Sequence, residues 1–328
     1  MEEKKFDKNS IIGFALIFII VMYMMFNSQK EAQKEQAEKA KTEAINKAKK
    51  AKEAATKTIE KTIVDTTASD TVKLQKLQSS LGAFAYSATL PSAKNDFKII
   101  ENDLVFLKIA NKGGYIIEAK LKKYEKFKKG SGQIVELIKD NNASFNLELH
   151  TKDNRILNTK DLFFEPTLTS VDGNQILSMK LKASPTSYLE YIYVIKPNDY
   201  MIDFDIKSQG LNQVLNTAKS PNLAWDLKAF RNEKSITYED RYTEVYFEHK
   251  DGKIDYTGVS GQGDEDAEKT TFIAFKQHFF SSILLTSTPF ETSKLQSEKI
   301  FKDEQTDTIF TKQLKSTFPL ALKNGELD

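Results

Sequence analysis

Seventeen consecutive residues, Ser10–Phe26 (SIIGFALIFIIVMYMMF), carry no charge. A chain cannot leave such a run in water, so this stretch sets the first boundary condition on the fold. As a helix rising about 1.5 Å per residue it covers about 25 Å, close to the hydrocarbon thickness of a bilayer. Ile11, Ile12, Phe14, Leu16, Ile17, Phe18, Ile19, Ile20, Val21, Met22 and Phe26 supply its apolar surface. Lys8 before it, and Asn27 or Lys30 after it, can reach the interfaces by snorkelling. The alternative is a cleaved secretory leader. The residues that follow, Asn27, Ser28, Gln29 and Lys30, offer no small-x-small cleavage pattern, so an uncleaved anchor is expected. Lysine counts do not orient it. Lys4, Lys5 and Lys8 precede the run, while Lys30, Lys34, Lys39 and Lys41 follow it.

Beyond the anchor, residues 30–61 are almost wholly Ala, Lys, Glu and Gln. These are strong helix formers, but only Ile45 and Ile59 are apolar and larger than alanine, so no coiled-coil seam exists. A solvated helical or partly disordered spacer is expected, reaching roughly 48 Å if fully helical. The sharper reading is a helix laid on anionic headgroups through its lysines. From Thr62 to about Ser80, Thr, Ser and Asp enter, which predicts a flexible end to the spacer.

From about Leu81 the period changes to two. Ile117, Ala119 and Leu121 alternate with charged neighbours, as do Phe145, Leu147 and Leu149, and Leu177, Met179 and Leu181 share one face. Pro197-Asn198-Asp199 and Asp251-Gly252 each join two such runs and predict turns. No repeat of fixed period is visible. The pattern predicts a mainly β, antiparallel sandwich of about 245 residues.

Candidate chemistry is sparse. The chain has no cysteine, which removes disulfides, thiolate catalysis, thiolate zinc sites and a lipid-bearing N-terminal cysteine. Its 48 basic and 46 acidic residues nearly balance, so no nucleic-acid partner is expected. Of the three histidines, His150 and His249 fall on the polar phase of their strands and read as solvated. His278 lies in FIAFKQHFFSSILL, either a strand buried on both faces or the start of a short helix. No carboxylate flanks it in sequence, so a structural histidine is favoured over a general base. Gly258–Glu268 (GVSGQGDEDAE) fits neither a dinucleotide loop nor a calcium loop and reads as a mobile polar hairpin tip. Asn142-Ala143-Ser144 matches a glycosylation sequon but reads as turn chemistry. Neither a cofactor nor a metal site is expected.

The N-terminal MEEKKFDKNSIIGFALIFIIVMYMMFNSQ resembles the first transmembrane segment of the Bacteroidota-type YidC membrane protein insertases. GGYIIEAKLKKY, LIKDNNASFNLEL, LNTKDLFFEPTL, YEDRYTEVYF and FIAFKQHFFSSIL resemble blocks of that family's large periplasmic domain. Single blocks are weak; their order and spacing are specific. The resemblance implies a cytoplasmic N-terminus at 1–9, a transmembrane anchor at 10–26, a charged linker at 27–80 and a periplasmic domain at 81–328. That domain would be a β-supersandwich of the galactose mutarotase type. Phe272, Ala274, Gln277, Phe279 and Phe280 are then family-motif core positions, with Phe272 standing where the family often has tryptophan.

The resemblance further implies a non-enzymatic role in the bacterial inner membrane. The family inserts nascent inner-membrane proteins and helps them fold, alone or with the Sec translocon and its SecD/SecF subunits. Five later transmembrane helices do this, around a hydrophilic groove with a basic residue. No second apolar run occurs here, so the chain is expected to be a single-pass fragment, incomplete at its C-terminal end. Two other readings remain open: a stand-alone anchored periplasmic adaptor, and a mutarotase-like sugar-binding protein. The latter needs histidine and carboxylate groups converging in a cleft.

Overall fold

Alternation of apolar and polar residues becomes strand wherever it is long enough to pair. The structure, a computed structural model, describes residues 70–258 and 262–327. The expected anchor and residues 27–69 of the expected linker lie outside the described residues. No helix among the described residues is long and apolar enough to cross a membrane.

The first meander comprises β1 (Phe97–Glu101), β2 (Val105–Ala110), β3 (Ile116–Glu125) and β4 (Ile134–Ile138). Next come β5 (Ala143–His150) and β6 (Ile156–Asn158), then a second meander of β7 (Glu165–Val171), β8 (Asn174–Lys182), β9 (Tyr188–Ile195) and β10 (Ile202–Gln209). The remaining strands are β11 (Asn222–Phe230), β12 (Glu244–His249), β13 (Lys253–Tyr256), β14 (Gln262–Lys276), β15 (Ser281–Lys299) and β16 (Phe310–Pro319). They join β5 and β6 in an eight-stranded sheet ordered β13-β12-β14-β15-β16-β11-β5-β6. Every pairing between strands among the described residues is antiparallel, so the mainly β, antiparallel expectation holds. Pro197-Asn198-Asp199 does join β9 to β10, with Asn198 at φ 54°, and Asp251-Gly252 lies between β12 and β13. Asn142 is buried as a turn clamp. Its Oδ1 accepts the Lys139 N–H at 2.8 Å, and its Nδ2 donates to the Lys228 carbonyl at 2.9 Å.

The β14–β15 hairpin is the element that shapes the molecule. Thr270 pairs with Phe290, but Phe272 pairs with Leu285, so Thr286–Pro289 bulge out and divide the hairpin into two arms. β16 pairs only with the lower arm, at Lys294–Lys299; β12 pairs only with the upper arm, at Phe272–Lys276. Trp225 on β11 sits opposite Ser316, and Ser316 opposite Leu295. Phe275 in the upper arm sits opposite Ser282. Straight strands would hold these two rings roughly 40 Å apart. Instead they stack with centroids 3.9 Å apart. The upper arm therefore folds back over the face of its own sheet.

A second core lies over the β7–β10 meander. Leu177, Met179 and Leu181 on β8 are buried beside Leu189, Tyr191, Tyr193 and Ile195 on β9. Tyr191 meets Phe164 at 4.9 Å, Phe204 at 5.8 Å and Phe145 at 6.1 Å between ring centroids. Its hydroxyl contacts Thr159 Oγ1 at 3.2 Å, and that of Tyr193 donates to the Gly114 carbonyl at 2.8 Å, so both buried phenols are satisfied. Gly114 itself has φ 66°, and a Cβ there would come within 2.9 Å of the Phe164 ring.

Two expectations are corrected. Residues 70–80, read as flexible spacer, form helix α1 (Asp70–Leu81) with the next residue. Leu77 and Leu81, four apart on one face, are buried, and Arg155 donates to the Ser79 carbonyl at 3.0 Å. A 3-10 turn (Gly82–Phe84) and the short helix α2 (Ala85–Ala88) follow, and Ser87 Oγ donates to the Phe163 carbonyl at 2.6 Å. The domain therefore includes residues assigned to the linker. The polar stretch Gly258–Glu268, read as a hairpin tip, is strand from Gln262 onward, paired with Thr292–Glu298. Only Ala267 is buried among Asp264–Glu268; the carboxylates stay in solvent, so they cost the strand little.

Phe164 is fully buried against Tyr191 and beneath Gly114. Phe164→Ala is expected to lower unfolding stability by about 3–5 kcal/mol in a denaturant titration followed by tyrosine and tryptophan fluorescence.

Candidate functional site

The back-folded hairpin leaves a cleft of about 890 Å³ between its upper arm and the two meanders. Val105, Leu107 and Leu121 of the first meander, Ile202 and Phe204 of the second, and Phe145 on β5 with Trp225 on β11 line it. Phe280 and Leu284 of the hairpin line it as well. Its mouth is apolar as well: Met201 is 53%, Ile283 and Leu285 each 55%, and Phe279 68% exposed. Isolated exposed apolar residues are ordinary; four around one apolar cleft mark a binding surface. Tyr124 ties the mouth together, edge-on to Phe280 at 5.5 Å and 6.2 Å from Tyr200. Lys120, Lys128 and Lys129 line part of the rim, with Glu125 and Glu233. Glu125 accepts the backbone N–H groups of Gly130 and Gly132, which fixes the lysine-bearing loop after β3.

The family-motif positions divide. Ala274 and Gln277 are buried; Phe272 and Phe280 are half-buried. Phe279, expected in the core, is exposed. The physical reason is the turn. The Gln277 N–H donates to the Phe280 carbonyl at 2.7 Å, which closes a two-residue loop at His278-Phe279 and turns Phe279 outward. QHFF is thus neither a continuous buried strand nor a helix start.

Beneath this turn lies a buried polar network that sequence spacing did not reveal. Helix α3 (Ile236–Asp240) is capped by Ser235, whose hydroxyl accepts the Tyr238 N–H at 3.2 Å. It presents Glu239, which is 1% exposed. Glu239 accepts the backbone N–H groups of Asn232 at 2.8 Å and Glu233 at 3.1 Å. Gln277 Nε2 donates to the Phe230 carbonyl at 2.6 Å and approaches Glu239 Oε1 at 3.4 Å. The Gln277 side chain thus pins the hairpin tip to the end of β11. Burial outweighs these donors and pushes the Glu239 carboxyl from 4.5 up to about 7. Nearby, Lys312 is 1% exposed, 3.8 Å from Asp240. Burial lowers the pKa of Lys312 and raises that of Asp240.

The histidines do not converge. His278 stacks on Tyr242 at 4.8 Å and lies edge-on to Tyr238 at 5.2 Å. The fold brings it a carboxylate, but Glu233 Oε1 stops 3.8 Å from Nδ1, too far for a hydrogen bond. His150 is half-buried 3.6 Å from Glu148, and His249 packs near Phe247. None of the three lines the cleft. No cluster of three metal-ligating side chains occurs among the described residues. The cleft can hold apolar matter; it presents no paired histidine and carboxylate for proton transfer.

A family model described as the YidC periplasmic domain matches residues 99–322. The membrane protein insertase YidC of Parabacteroides distasonis is 30% identical over 303 residues, covering 90% of this chain and 46% of that protein. That of Porphyromonas gingivalis is 28% identical over 327 residues, covering 97% and 49%. The chain thus spans about half the length of these relatives. Among solved structures, a putative aldose 1-epimerase from Escherichia coli overlaps 71% of this chain and 90% of its own, with TM-score 0.40 and 8% identity. A galactose mutarotase-like protein from Lactobacillus casei overlaps 68% and 87%, with TM-score 0.39 and 12% identity. Likeness at that level carries no functional weight.

Between pH 4.5 and 7 the folded protein holds a proton on Glu239 that the unfolded chain has shed. Stability is therefore expected to fall by about 3 kcal/mol as pH rises through this window. Glu239→Gln should remove that slope, as read by urea midpoints at pH 5, 6, 7 and 8.

Proposed function

The chain belongs to the YidC periplasmic-domain family, and from that premise we propose that it is the membrane anchor and accessory periplasmic domain of an inner-membrane protein insertase. The observation that carries this reading is the family match over residues 99–322, preceded in the same chain by the uncharged run Ser10–Phe26. The relatives' names support an insertase, and the apolar cleft supports a domain that handles apolar polypeptide.

In this reading, residues 1–9 are cytoplasmic, 10–26 cross the inner membrane, and the domain stands in the periplasm. Residues 27–69 join the anchor to the described domain, whose first described element is α1. Insertion itself is the work of the five further helices that the family resemblance implies. Polar parts of a nascent chain need hydrogen-bonding partners inside the membrane, and a β-domain in water cannot supply them there. The β-domain instead offers a surface to clients emerging on the periplasmic side and to Sec components, including SecD/SecF.

Topology is directly testable because the chain has no native cysteine. With Lys129→Cys, a membrane-impermeant maleimide is expected to label the protein in intact spheroplasts. Labelling only after lysis would place the domain in the cytoplasm and end this reading.

Function is tested by depletion of the resident insertase. A protein continuing through five further apolar helices is expected to restore membrane-protein insertion, and these 328 residues alone are not. Rescue by the 328-residue chain would move the chemistry into the part described here. Photo-crosslinkers at Phe279 and Ile283 should recover nascent membrane proteins or Sec subunits. Recovery of unrelated envelope proteins alone would favour a stand-alone adaptor.

A further inference from the structure

The folded-back arm is a small sheet of its own. Among the described residues, β12, β13 and the upper arms of β14 and β15 pair only with one another. The arm joins the large sheet at the bulged bend, where the ladder is interrupted. There the Thr286 hydroxyl donates to the Thr288 carbonyl at 2.8 Å, so the loop closes on itself. Thr257 marks the pivot: its Oγ1 accepts the Val245 N–H of the arm at 3.1 Å and donates to Ser297 Oγ of the lower arm at 2.8 Å. The seam between arm and sheet is poorly satisfied. Ser316 sits opposite Trp225 and Leu295, and Ser293 is two residues from Leu295, so both hydroxyls share the face that the arm covers. Both are at most 1% exposed, and neither Oγ has a hydrogen-bond partner among the described residues. Thr270 Oγ1 at the bend, and Asn232 Oδ1, Asp240 Oδ1 and His278 Nδ1 around the tip, are in the same state. Eight buried side-chain polar atoms lack a partner among the described residues, and these six follow the one seam. Lys312, on the same face of β16 as Ser316, stays 3.8 Å from Asp240 Oδ1, beyond hydrogen bonding. By contrast, the phenols buried over the β7–β10 meander are satisfied.

We propose that the arm is a hinged flap, which swings as one unit about the bend at Thr270–Phe272 and Thr286–Pro289 with Gln277 as its latch. A buried donor or acceptor without a partner costs the closed state, and water admitted by opening satisfies each of the six at once. Against that gain stand the Phe275 ring on Trp225, the Gln277 bond to the Phe230 carbonyl and the His278 ring on Tyr242. These contacts keep the closed state dominant, but they are concentrated at a few side chains and break together. The strand ladders inside the arm are not among them, so the arm stays folded as it swings. Phe279, Phe280, Ile283, Leu284 and Leu285 travel with it, whereas Phe145 and Trp225 remain on the large sheet. The swing therefore changes the width of the cleft and sets when Trp225 is reachable from solvent. The proposal rests on the seam and stands apart from the insertase reading.

The absence of native cysteine makes the swing measurable by thiol labelling of the full chain in detergent micelles. Ser316→Cys places a thiol beneath the flap, and Met179→Cys places one in the core of the second meander; both positions are 0% exposed. In native buffer the Ser316→Cys protein is expected to react about a hundredfold faster than its own urea-derived unfolding equilibrium allows, with little acceleration in low urea. The Met179→Cys protein is expected to react only as fast as its global unfolding allows. Adding Gln277→Ala should speed labelling of the Ser316→Cys protein about tenfold beyond any loss of global stability, and leave the Met179→Cys protein on its global rate. Ser293→Cys, at the second orphaned hydroxyl, is expected to behave as Ser316→Cys does. Backbone amides of β12 and the upper arm of β14 should stay protected from exchange while the thiols react. Labelling of the Ser316→Cys and Ser293→Cys proteins at the global rate would overturn the proposal. So would fast labelling of only one of the two, which is local fraying, or amide exchange in the arm as fast as the thiols react, which is unravelling of the arm.

Discussion

The stack of Phe275 on Trp225 is the contact on which the architecture turns. Sheet register alone would send the end of the β14–β15 hairpin out into solvent. The unequal pairing between Thr270/Phe290 and Phe272/Leu285 lets the hairpin bend, and the stacked rings set where it lands. Once it has landed, β12 and β13 follow it, because they pair only with the bent part. The hairpin's share of the cleft lining, Phe279, Phe280, Ile283, Leu284 and Leu285, follows from that one reversal.

A bend of this kind needs its tip held, and the means used is polar. Gln277 reaches the Phe230 carbonyl while Glu239 collects the neighbouring backbone N–H groups. Buried networks of this sort are worth little in net stability and much in uniqueness, since any other docking of the tip would leave them unsatisfied. The apolar stack supplies attraction, and the amide and carboxyl supply the address.

Much of the fold was legible in the chain because burial on one face imposes a period of two. Phe145, Leu147 and Leu149 announced β5, and Pro197-Asn198-Asp199 announced the turn into β10. What was hidden depended on partners far away in sequence. The acidic half of β14 carries almost no apolar signal, and it is a strand only because β15 offers it a ladder. Helix α1 buries two leucines, too few to be told from a spacer by composition. Phe279 reads as core in any hydropathy count; a two-residue turn alone makes it exposed. Glu233 and Glu239 reach the QHFF turn from another segment, so no local pattern could have placed them there.

The docking of α1 determines how the domain would carry mechanical load. Tension arriving from the N-terminal side meets, as the first described element, a helix held by Leu77, Leu81 and the guanidinium of Arg155 on the Ser79 carbonyl. That attachment is a patch of side chains, not a strand ladder that opens one rung at a time. Under a pull, the first thing to yield would be this helix. The sheets behind it would keep their register, and α1 would act as a mechanical fuse for the rest of the domain.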